Sequence, residues 1–403
     1  MTVSSESLYR FPWSSHDNPL GWVEVTDECN FNCTGCYRRN VNGHKTLDAI
    51  RAEVRMLKRL RNVDSISLAG GEPILHPQIR EIVAAIAREG LKSFMLSNGH
   101  GVTADLLRDL VAAGLTGIGF HVDSMQNRPG WAGRSERDMN ELRQQYAEMA
   151  HGVRGLPPVG FGMTVYPQNL TQVPDVVRWA IGAHGIVGGV SFITYRAAVR
   201  KGFDYFAGST PVDPWTGLGY LAETADEVSV RSTDVSDVIA EAFSGFAACA
   251  FLGGTQTHEA RKWLDGLLLC AGKEVLGSLG SRSMEFMQVV HHLLFGTYVV
   301  YTRGRMSAGP LLLLSLVDPR VRSALGRFLR NPFRRVFGLS IGIVQAPDLL
   351  PDGRVDMCES CPDMTFFDGR LVNSCRLDEH RLYGGLLSAV PRMPAQVQAT
   401  FSR

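Results

Sequence analysis

Three cysteines close to the start of the chain have a spacing that suits a metal cluster. Cys29, Cys33 and Cys36, here called the first triad, stand at C-x3-C-x2-C spacing within DECNFNCTGCYRR. Three thiolates leave one iron of a four-iron, four-sulfur cluster open to an exogenous chelator, whereas structural zinc normally needs a fourth protein ligand. The nearest histidine, His44, is eight residues beyond Cys36, so a Cys3His zinc site is conceivable but poorly spaced. The first triad therefore favours an iron–sulfur cluster over zinc or inert thiols.

Three more cysteines near the end of the chain leave two kinds of metal site open. Cys358, Cys361 and Cys375, here called the second triad, form C-x2-C-x13-C, and His380 follows at C-x4-H spacing. These four side chains make a plausible tetrahedral zinc set. Three cysteines with an open or non-cysteine fourth position would instead hold an iron–sulfur cluster.

The two remaining cysteines lie in apolar segments that we interpret as helical, GFAACAFLGG around Cys249 and GLLLCAG around Cys270. Free cysteine behaves as a small buried hydrophobic residue in such surroundings. We therefore expect burial rather than ligation, although either thiol could be the fourth ligand of the second triad.

Short apolar runs alternate with amphipathic segments of helical period between about residues 20 and 200. Six strands separated by helices of ten to sixteen residues predict right-handed βαβ units and a parallel sheet. Because a closed barrel has eight strands, we expect an α/β fold with a partial (βα)6 TIM-like barrel. The strand ends carry the first triad and the groups GGEP, SNG, HVDS, YPQN and TYR. Ligands bind at the carboxyl ends of parallel strands, so the chemistry is predicted to lie on one rim.

The chain is predicted to fall into four regions. Residues 1–19 are an N-terminal extension, and residues 20–200 are the partial barrel. The alternation stops after residue 200, so 201–335 is predicted to be a mainly helical substrate or cap region. Residues 336–403, which carry the second triad, are predicted to be an auxiliary metal-cluster region.

The composition argues against several classes of partner and location. With 41 basic and 40 acidic side chains the net charge is +1, so the overall charge does not indicate nucleic acid. The first residues lack the basic start and apolar core of a signal peptide. We therefore expect a cytoplasmic protein, in which thiols stay reduced and clustered cysteines serve metal binding or catalysis.

Two apolar tracts lie late in the chain, Met284 to Tyr301 and Gly309 to Val317. Polar residues interrupt the first, and the second is too short to span a bilayer. We interpret both as core helices and expect no transmembrane segment, while contact with a lipid-like substrate stays open.

The first triad and a motif on the next strand together resemble the radical S-adenosylmethionine (radical SAM) superfamily. C-x3-C-x2-C directly after the first strand is that family's cluster-binding loop. The second strand ends in Gly70, Gly71, Glu72 and Pro73, which matches the family's GGE-type motif. The resemblance covers residues 20–200 and implies that this motif binds the amino group of the methionine moiety. Glycines allow close backbone approach, and the carboxylate of Glu72 suits an ammonium group.

Two later strand ends match the family pattern more loosely. Ser97 and Asn98 end the third strand, where the family often carries a small polar pair. His121 and Asp123 end the fourth, where the pattern usually reads Ser-x-Asp and helps to hold the ribose or carboxylate of SAM. The resemblance thus implies cofactor contacts at these four residues, with His121 in place of serine as a departure.

A second departure lies inside the cluster-binding loop. The residue before the last cysteine is commonly aromatic in the family, but here it is Gly35, and Tyr37 directly follows Cys36. We therefore expect the adenine to meet backbone at Gly35 and the ring of Tyr37. Tyr195 and Arg196 close the sixth strand, where contacts to substrate or carboxylate would fit.

The resemblance also implies a mechanism. A reduced 4Fe–4S cluster on the first triad binds the amino and carboxylate groups of SAM and donates one electron into the sulfonium. SAM then cleaves to methionine and a 5′-deoxyadenosyl radical, which abstracts hydrogen from an unactivated C–H bond of the substrate. The electron is expected to come from a donor such as flavodoxin or ferredoxin.

Beside such a core, the resemblance favours an auxiliary 4Fe–4S cluster on the second triad over zinc with His380. That cluster could anchor substrate, accept an electron from a product radical or donate sulfide. The tail does not match the longer cysteine set of the peptide-modifying SPASM branch. We therefore expect a small-molecule substrate such as a sugar, a nucleotide or a secondary metabolite. Peptide or protein modification and lipid modification stay open as alternatives.

Overall fold

The computed structural model describes residues 8–301, 308–345 and 347–392. The strands of these ranges, numbered β1 to β20 in chain order, are Tyr9–Arg10, Leu20–Thr26, Ser65–Gly70, Lys92–Ser97, Gly117–His121, Val159–Val165, Val187–Thr194, Val199–Arg200, Phe203–Ala207, Thr210–Val212, Leu221–Ala222, Ala250–Leu252, Trp263–Ala271, Glu274–Ser278, Val336–Gln345, Asp348–Leu349, Val355–Asp356, Met364–Phe367, Arg370–Asn373 and Ser388–Pro391. The α-helices, α1 to α9, are Leu47–Arg61, Ile79–Arg88, Ala104–Ala113, Glu136–His151, Val173–Gly182, Ser232–Ala242, Ser281–Phe295, Pro319–Phe328 and Leu377–Tyr383. Short 3-10 helices cover Pro73–Leu75, Leu170–Gln172, Pro214–Thr216, Asp226–Val228, Gly309–Leu316 and Ser374–Arg376.

The six strands β2 to β7 lie side by side in chain order and are all parallel. The helices α1 to α5 connect them one by one, which confirms the predicted α/β alternation and partial barrel. Within the described ranges the sheet stays open, with β2 at one edge and β1 at the other. Thr46 caps α1, because its hydroxyl accepts a hydrogen bond from the backbone N–H of Ala49 at 3.2 Å.

Alternating side chains of these strands separate the hydrophobic core from the inner face of the sheet. On β4, Met95 is fully buried in the core, while Phe94 and Leu96 line a cavity on the inner face. Strand β2 is buried along its whole length, with Val23 and Val25 in the core, because α1 covers its outer face.

The region 201–335 contains strands as well as the predicted helices. It contains α6, α7 and α8, but strands β12, β13 and β14 extend the main sheet beyond β15, which pairs in parallel with β7. Cys270 lies in β13 and Cys249 directly precedes β12, so the predicted helical surroundings of both cysteines were wrong. Both thiols are buried. A short apolar run such as LLLCA in β13 fits a buried helix as well as a strand, so the apolar pattern alone does not assign it.

The two apolar tracts are helical in part but were wrongly predicted to be core helices. The first forms α7, and the second forms the 3-10 helix Gly309–Leu316. Leu293 on α7 is 77% exposed and Leu316 is 85% exposed. Among the helices of the described ranges, none is both long and apolar enough to cross a membrane.

The segment that carries the second triad packs back onto the barrel. Strands β18 and β19 form a hairpin whose turn residues Asp368 and Gly369 both have positive φ, as the short Asp-Gly hairpin turn requires. The hydroxyl of Thr365 donates to Glu53 of α1 at 2.6 Å. Fully buried Arg61, also on α1, donates to the carbonyl of Cys361 at 2.8 Å.

Candidate functional site

One cavity of about 1760 Å³ follows the inner face of the sheet and receives side chains from both cysteine triads. It extends from the carboxyl ends of the parallel strands to their amino ends at Lys92, Gly117 and Val187. Of the residues predicted from sequence, its wall includes Cys29, Cys33, Cys36, Tyr37, Gly70, Gly71, Ser97, Asn98, His121, Asp123, Cys358, Cys361 and Cys375. Glu72, Pro73 and His380 were also predicted but lie outside this wall.

The loop of the first triad is held by two asparagines. The side chain of Asn40 accepts a hydrogen bond from the backbone N–H of Cys29 at 2.9 Å and donates to its carbonyl at 2.8 Å. Asn98, at the end of β4, donates to Asn30 at 2.6 Å and lies 3.8 Å from the sulfur of Cys29. These amide contacts orient the loop so that all three thiols face the cavity.

The thiols of the first triad share one electrostatic environment. Burial, and then the negative charges of Cys36, Asp123 and Cys29, raise the pKa of Cys33 to about 12. Three thiolates could therefore be held there only with a positively charged group among them. Across residues 8–301, 308–345 and 347–392, no three His, Cys, Asp or Glu side chains are arranged to hold a single metal ion.

The donor set of the first triad fits an open cluster better than closed zinc. His44, the candidate fourth zinc ligand, points its Nδ1 at the hydroxyl of Thr26 at 2.8 Å and its Nε2 at Glu28 at 3.3 Å. It does not line the cavity. The three sulfur donors without a histidine thus match the three-cysteine set expected for a 4Fe–4S cluster with one open iron.

Gly35 lets the loop of the first triad lie against two tyrosines. Its φ is +69°, and a Cβ atom there would come within 2.6 Å of the ring of Tyr195 and 2.7 Å of the hydroxyl of Tyr166. The two rings stack with centroids 5.0 Å apart. The space that an aromatic side chain would need at position 35 is therefore filled by Tyr195 and Tyr166, which directly follow β7 and β6, and this explains the glycine.

Gly70 and Gly71 bring the end of β3 into contact with the chain that leads to the first triad. Cβ atoms at these positions would lie 2.2 Å from the carbonyl oxygen of Thr26 and 2.1 Å from that of Glu28. The backbone N–H groups of Gly71 and Glu72 donate to the same two carbonyls, each at 2.8 Å. Glycine is required because the two backbones approach too closely for any side chain.

Glu72 is fully buried and joins β3 to the end of β4. Its carboxylate accepts hydrogen bonds from the backbone N–H of Asn98 at 2.7 Å and of Ile74 at 3.3 Å. Burial raises the pKa of Glu72 to about 7. The predicted contact of Glu72 with an ammonium group stays a prediction, because these backbone groups are its partners here.

His121 and Asp123 form a pair at the cavity wall. The Nε2 atom of His121 lies 2.8 Å from the carboxylate of Asp123 and 3.1 Å from the hydroxyl of Thr164. Burial alone would raise the pKa of Asp123, but hydrogen bonds from His121 and from the backbone N–H of Met125 lower it below its usual value. The carboxylate therefore stays ionised and orients the half-exposed imidazole of His121.

Arg128 is a buried positioning residue that sequence reasoning missed. Its guanidinium donates to the carbonyls of Asn98 and His121, the latter at 2.7 Å, and to the side chain of Gln126 at 2.9 Å. It also lies 4.9 Å from the centre of the Phe31 ring. One cation thus connects the ends of β4 and β5 to the loop of the first triad. No local pattern marks Arg128, because its partners are distant backbone carbonyls.

Two cysteines of the second triad, Cys358 and Cys361, lie on one turn, and Cys375 lies in the 3-10 helix Ser374–Arg376. Cys358 and Cys361 are buried, and a hydrogen bond that the Cys358 thiol donates to Cys361, followed by burial, raises the pKa of Cys358. The Nδ1 atom of His380 lies 3.3 Å from the guanidinium of Arg370. The three cysteines line the cavity, whereas His380 lies outside its wall.

A buried arginine joins the segments of the two triads. Arg38, two residues after Cys36, forms ion pairs with Glu24 at 2.7 Å, Asp27 at 2.9 Å and Asp378 at 2.9 Å. Asp378 lies on α9, just after Cys375 of the second triad. The charge on Arg38 therefore holds α9 against the loop of the first triad.

Asp265 on β13 borders the cavity and is expected to make stability depend on pH. Burial raises the pKa of Asp265 from 3.8 to about 7. The folded protein binds this proton more tightly, so the free energy of unfolding should fall as the pH rises from about 4 to about 7. Asp265→Asn removes the buried charge, so at pH 8 its free energy of unfolding should be higher than that of the wild type by about 2 kcal/mol. The difference is no larger because the cavity leaves the carboxyl group part of its hydration.

Urea unfolding of both proteins across this pH range would measure the difference. Parallel stability curves for the variant and the wild type would contradict the expected ionisation of Asp265.

Comparison with known proteins identifies the family of the barrel. Residues 23–180 match the family model described as Radical SAM superfamily. A "Probable GTP 3′,8-cyclase" of Methanocaldococcus jannaschii is 21% identical over 217 residues, which is 52% of this chain and 68% of the relative. A "GTP 3′,8-cyclase" of Klebsiella pneumoniae subsp. pneumoniae is 33% identical over 115 residues, which is 26% of this chain and 34% of the relative.

Among solved structures, Streptococcus suis SuiB bound to S-adenosylmethionine has a TM-score of 0.35 at 15% identity, covering 45% of this chain and 41% of SuiB. A Halobacterium salinarum "Probable GTP 3′,8-cyclase" is 26% identical, and the chain spans 58% of that relative's length. The family model includes the first triad and the strands that carry Gly70 to Asp123. Residues 23–180 are therefore identified as a radical SAM domain, which is the part of the chain that the family model matches.

Proposed function

We propose that this protein cleaves SAM reductively and abstracts hydrogen from a small molecule in its cavity, with an auxiliary 4Fe–4S cluster on the second triad. The observation that carries the proposal is the single cavity lined by both cysteine triads. A 4Fe–4S cluster bound at the first triad would supply the electron that cleaves the sulfonium of SAM and yields the 5′-deoxyadenosyl radical.

The chain's own residues would bind and orient the reactants. The three thiols of the first triad would hold the cluster, with Asn40 and Asn98 fixing their loop. The His121–Asp123 pair presents an imidazole to the same space, where its Nδ1 atom can accept a hydrogen bond from a ribose hydroxyl while Nε2 contacts Asp123. Glu72 and Arg128 position these strand ends from outside the cavity wall.

The size of the cavity supports a substrate beside the cosubstrate. Ligand sites commonly enclose about 300–1,000 Å³, and this cavity is larger at about 1760 Å³. Relatives named GTP 3′,8-cyclase favour a nucleotide among the small-molecule classes, which also include sugars and secondary metabolites. The proposed electron donor is a flavodoxin or ferredoxin in the cytoplasm.

An anaerobic assay tests the proposed activity. The reconstituted protein should form 5′-deoxyadenosine from SAM when a chemical reductant is added. A protein that carries its full iron content but forms no 5′-deoxyadenosine with any reductant would contradict the proposal.

The second triad is expected to hold iron rather than zinc. Cys358→Ala removes a buried ligand, so bound iron and sulfide should each fall by about half, as for the loss of one of two 4Fe–4S clusters. Elemental analysis of the purified, reconstituted proteins measures this change. Cys270→Ala is the matched control, because Cys270 is equally buried but does not line the cavity.

If the wild type contained zinc, and Cys358→Ala lacked it but kept the same iron content, the second triad would instead be a structural zinc site. Equal iron contents of Cys358→Ala and Cys270→Ala would also contradict the auxiliary cluster.

A further inference from the structure

Helix α7 has the reverse of an ordinary amphipathic pattern. Its buried residues are polar: Ser283 donates to the carboxylate of Asp318, and Gln288 donates to the carbonyl of Val299 at 2.9 Å. Helices on a water-facing surface normally bury their apolar residues and expose polar ones. On α7 the exposed side chains include Phe286, Val289, Leu293, Leu294 and Phe295.

The exposed apolar side chains continue on the neighbouring elements. Helix α7, the 3-10 helix Gly309–Leu316 and α8 pack around one small core that includes Met287, Leu312 and Val321. We call residues 281–295 and 309–333 the apolar lobe. Of the fourteen large apolar side chains exposed in the described ranges, ten belong to it, among them Phe333, which is 99% exposed. Such a concentration marks an interaction surface rather than scattered exposure.

Positive charge accompanies this apolar surface. Between Pro319 and Pro347 the sequence carries six arginines and no acidic residue, although the whole chain has a net charge of only +1. The side chains of Arg322, Arg330 and Arg335 are exposed. The one acidic residue of α7, Glu285, lies in its first half. Apolar side chains combined with arginine are complementary to the surface of an anionic lipid bilayer.

The cavity reaches the apolar lobe. Phe286, Leu294 and Phe295 are exposed and also line the cavity, as does Arg335. The cavity wall is therefore continuous with the exposed apolar surface, and a molecule at that surface has a direct apolar route inward.

We propose that the apolar lobe is a membrane-binding surface that lies on an anionic lipid bilayer. Apolar side chains of α7 and of the 3-10 helix enter the headgroup region, and the exposed arginines contact lipid phosphates. The protein lies on the membrane surface, with the mouth of the cavity facing the lipid. This association depends on the surface alone and is independent of the proposed reaction.

Vesicle flotation of the reconstituted full chain tests this surface. The wild type should float with vesicles of phosphatidylcholine and phosphatidylglycerol in equal parts, and bind pure phosphatidylcholine about tenfold less tightly. The double variant Leu293→Glu/Leu316→Glu replaces two strongly exposed residues that do not line the cavity, and it should lose binding by at least about tenfold. Val390→Glu changes an exposed apolar residue of β20, outside the lobe, and should bind as the wild type does.

Three results would overturn the proposal. The first is a wild type that floats with neither kind of vesicle. The second is a double variant that binds as tightly as Val390→Glu. The third is equal binding of the wild type to anionic and to pure phosphatidylcholine vesicles. Sedimentation of the same proteins tests the competing occupant, which is a second copy of this chain. A dimeric wild type that does not bind vesicles, together with a monomeric double variant, would assign the lobe to that second copy.

Discussion

Cys33→Ala is expected to reduce 5′-deoxyadenosine formation to background. The thiol of Cys33 lies between Cys29 and Cys36 in sequence, lines the cavity and interacts electrostatically with both neighbours and with Asp123. Its removal leaves two sulfur donors at a site that needs three, so a cluster with one open iron cannot be held there. The anaerobic assay measures product, and elemental analysis should show that the iron content falls by about half if the second triad stays loaded.

Cys249→Ala is the matched control for this experiment. Cys249 is buried beside β12 and does not line the cavity, so its loss should leave both the iron content and 5′-deoxyadenosine formation unchanged. A Cys33→Ala protein that retains the wild-type rate would refute the assignment of the first triad as the SAM-cleaving site. Loss of product with wild-type iron would show instead that Cys33 is not a cluster ligand.

Arg38→Met is expected to lower the free energy of unfolding by about 3–5 kcal/mol, the usual cost of removing one partner from a buried ion pair. Arg38 and Glu24 are buried, and their side chains lie 2.7 Å apart. Burial raises the pKa of Glu24, and the charge of Arg38 opposes this effect. Without the guanidinium, buried Glu24 loses its ion-pair partner, and Asp378 keeps only the longer contact with Arg381 at 3.4 Å. Chemical denaturation of the reconstituted protein measures the loss.

Two further variants separate this charge effect from loss of packing. Arg38→Met/Glu24→Gln should recover part of the stability, because glutamine carries no charge and can still accept the hydrogen bond from Trp22, which is 3.0 Å long in the wild type. Arg354→Met breaks the exposed pair with Asp352 and should cost less than about 1 kcal/mol. If the double variant were as unstable as Arg38→Met, lost packing rather than an unpaired carboxylate would be the cause.

Much of the barrel could be predicted because its signals are local. Along residues 20–200 the spacing of apolar residues depends on which face of each strand or helix is buried. Neighbouring residues are enough to reveal this spacing. The cap of α1 at Thr46 is equally local. The strands β12 and β13 were missed because their short apolar runs, AFL and LLLCA, fit a buried helix as well as a strand.

The exposure of α7 was missed for a related reason. An apolar tract of this length indicates a core helix in most proteins, and composition alone does not say which side of a helix faces solvent. The buried contacts of Ser283 with Asp318 and of Gln288 with Val299 set the orientation of α7, and they join residues from different elements.

The sequence by itself predicted an iron–sulfur cluster on the first triad, because the spacing of its three cysteines and the Gly70–Glu72 motif are short local patterns. It also placed Gly35 beside Tyr37 as a departure from the family pattern. Only the tertiary structure decided that Tyr166 and Tyr195 fill the space beside Gly35. It also decided that Glu72 contacts the backbone of Asn98 and that both triads face one cavity. The physical reason is distance along the chain: these contacts join residues far apart in sequence, and sheet pairing and the buried charge of Arg38 bring them together.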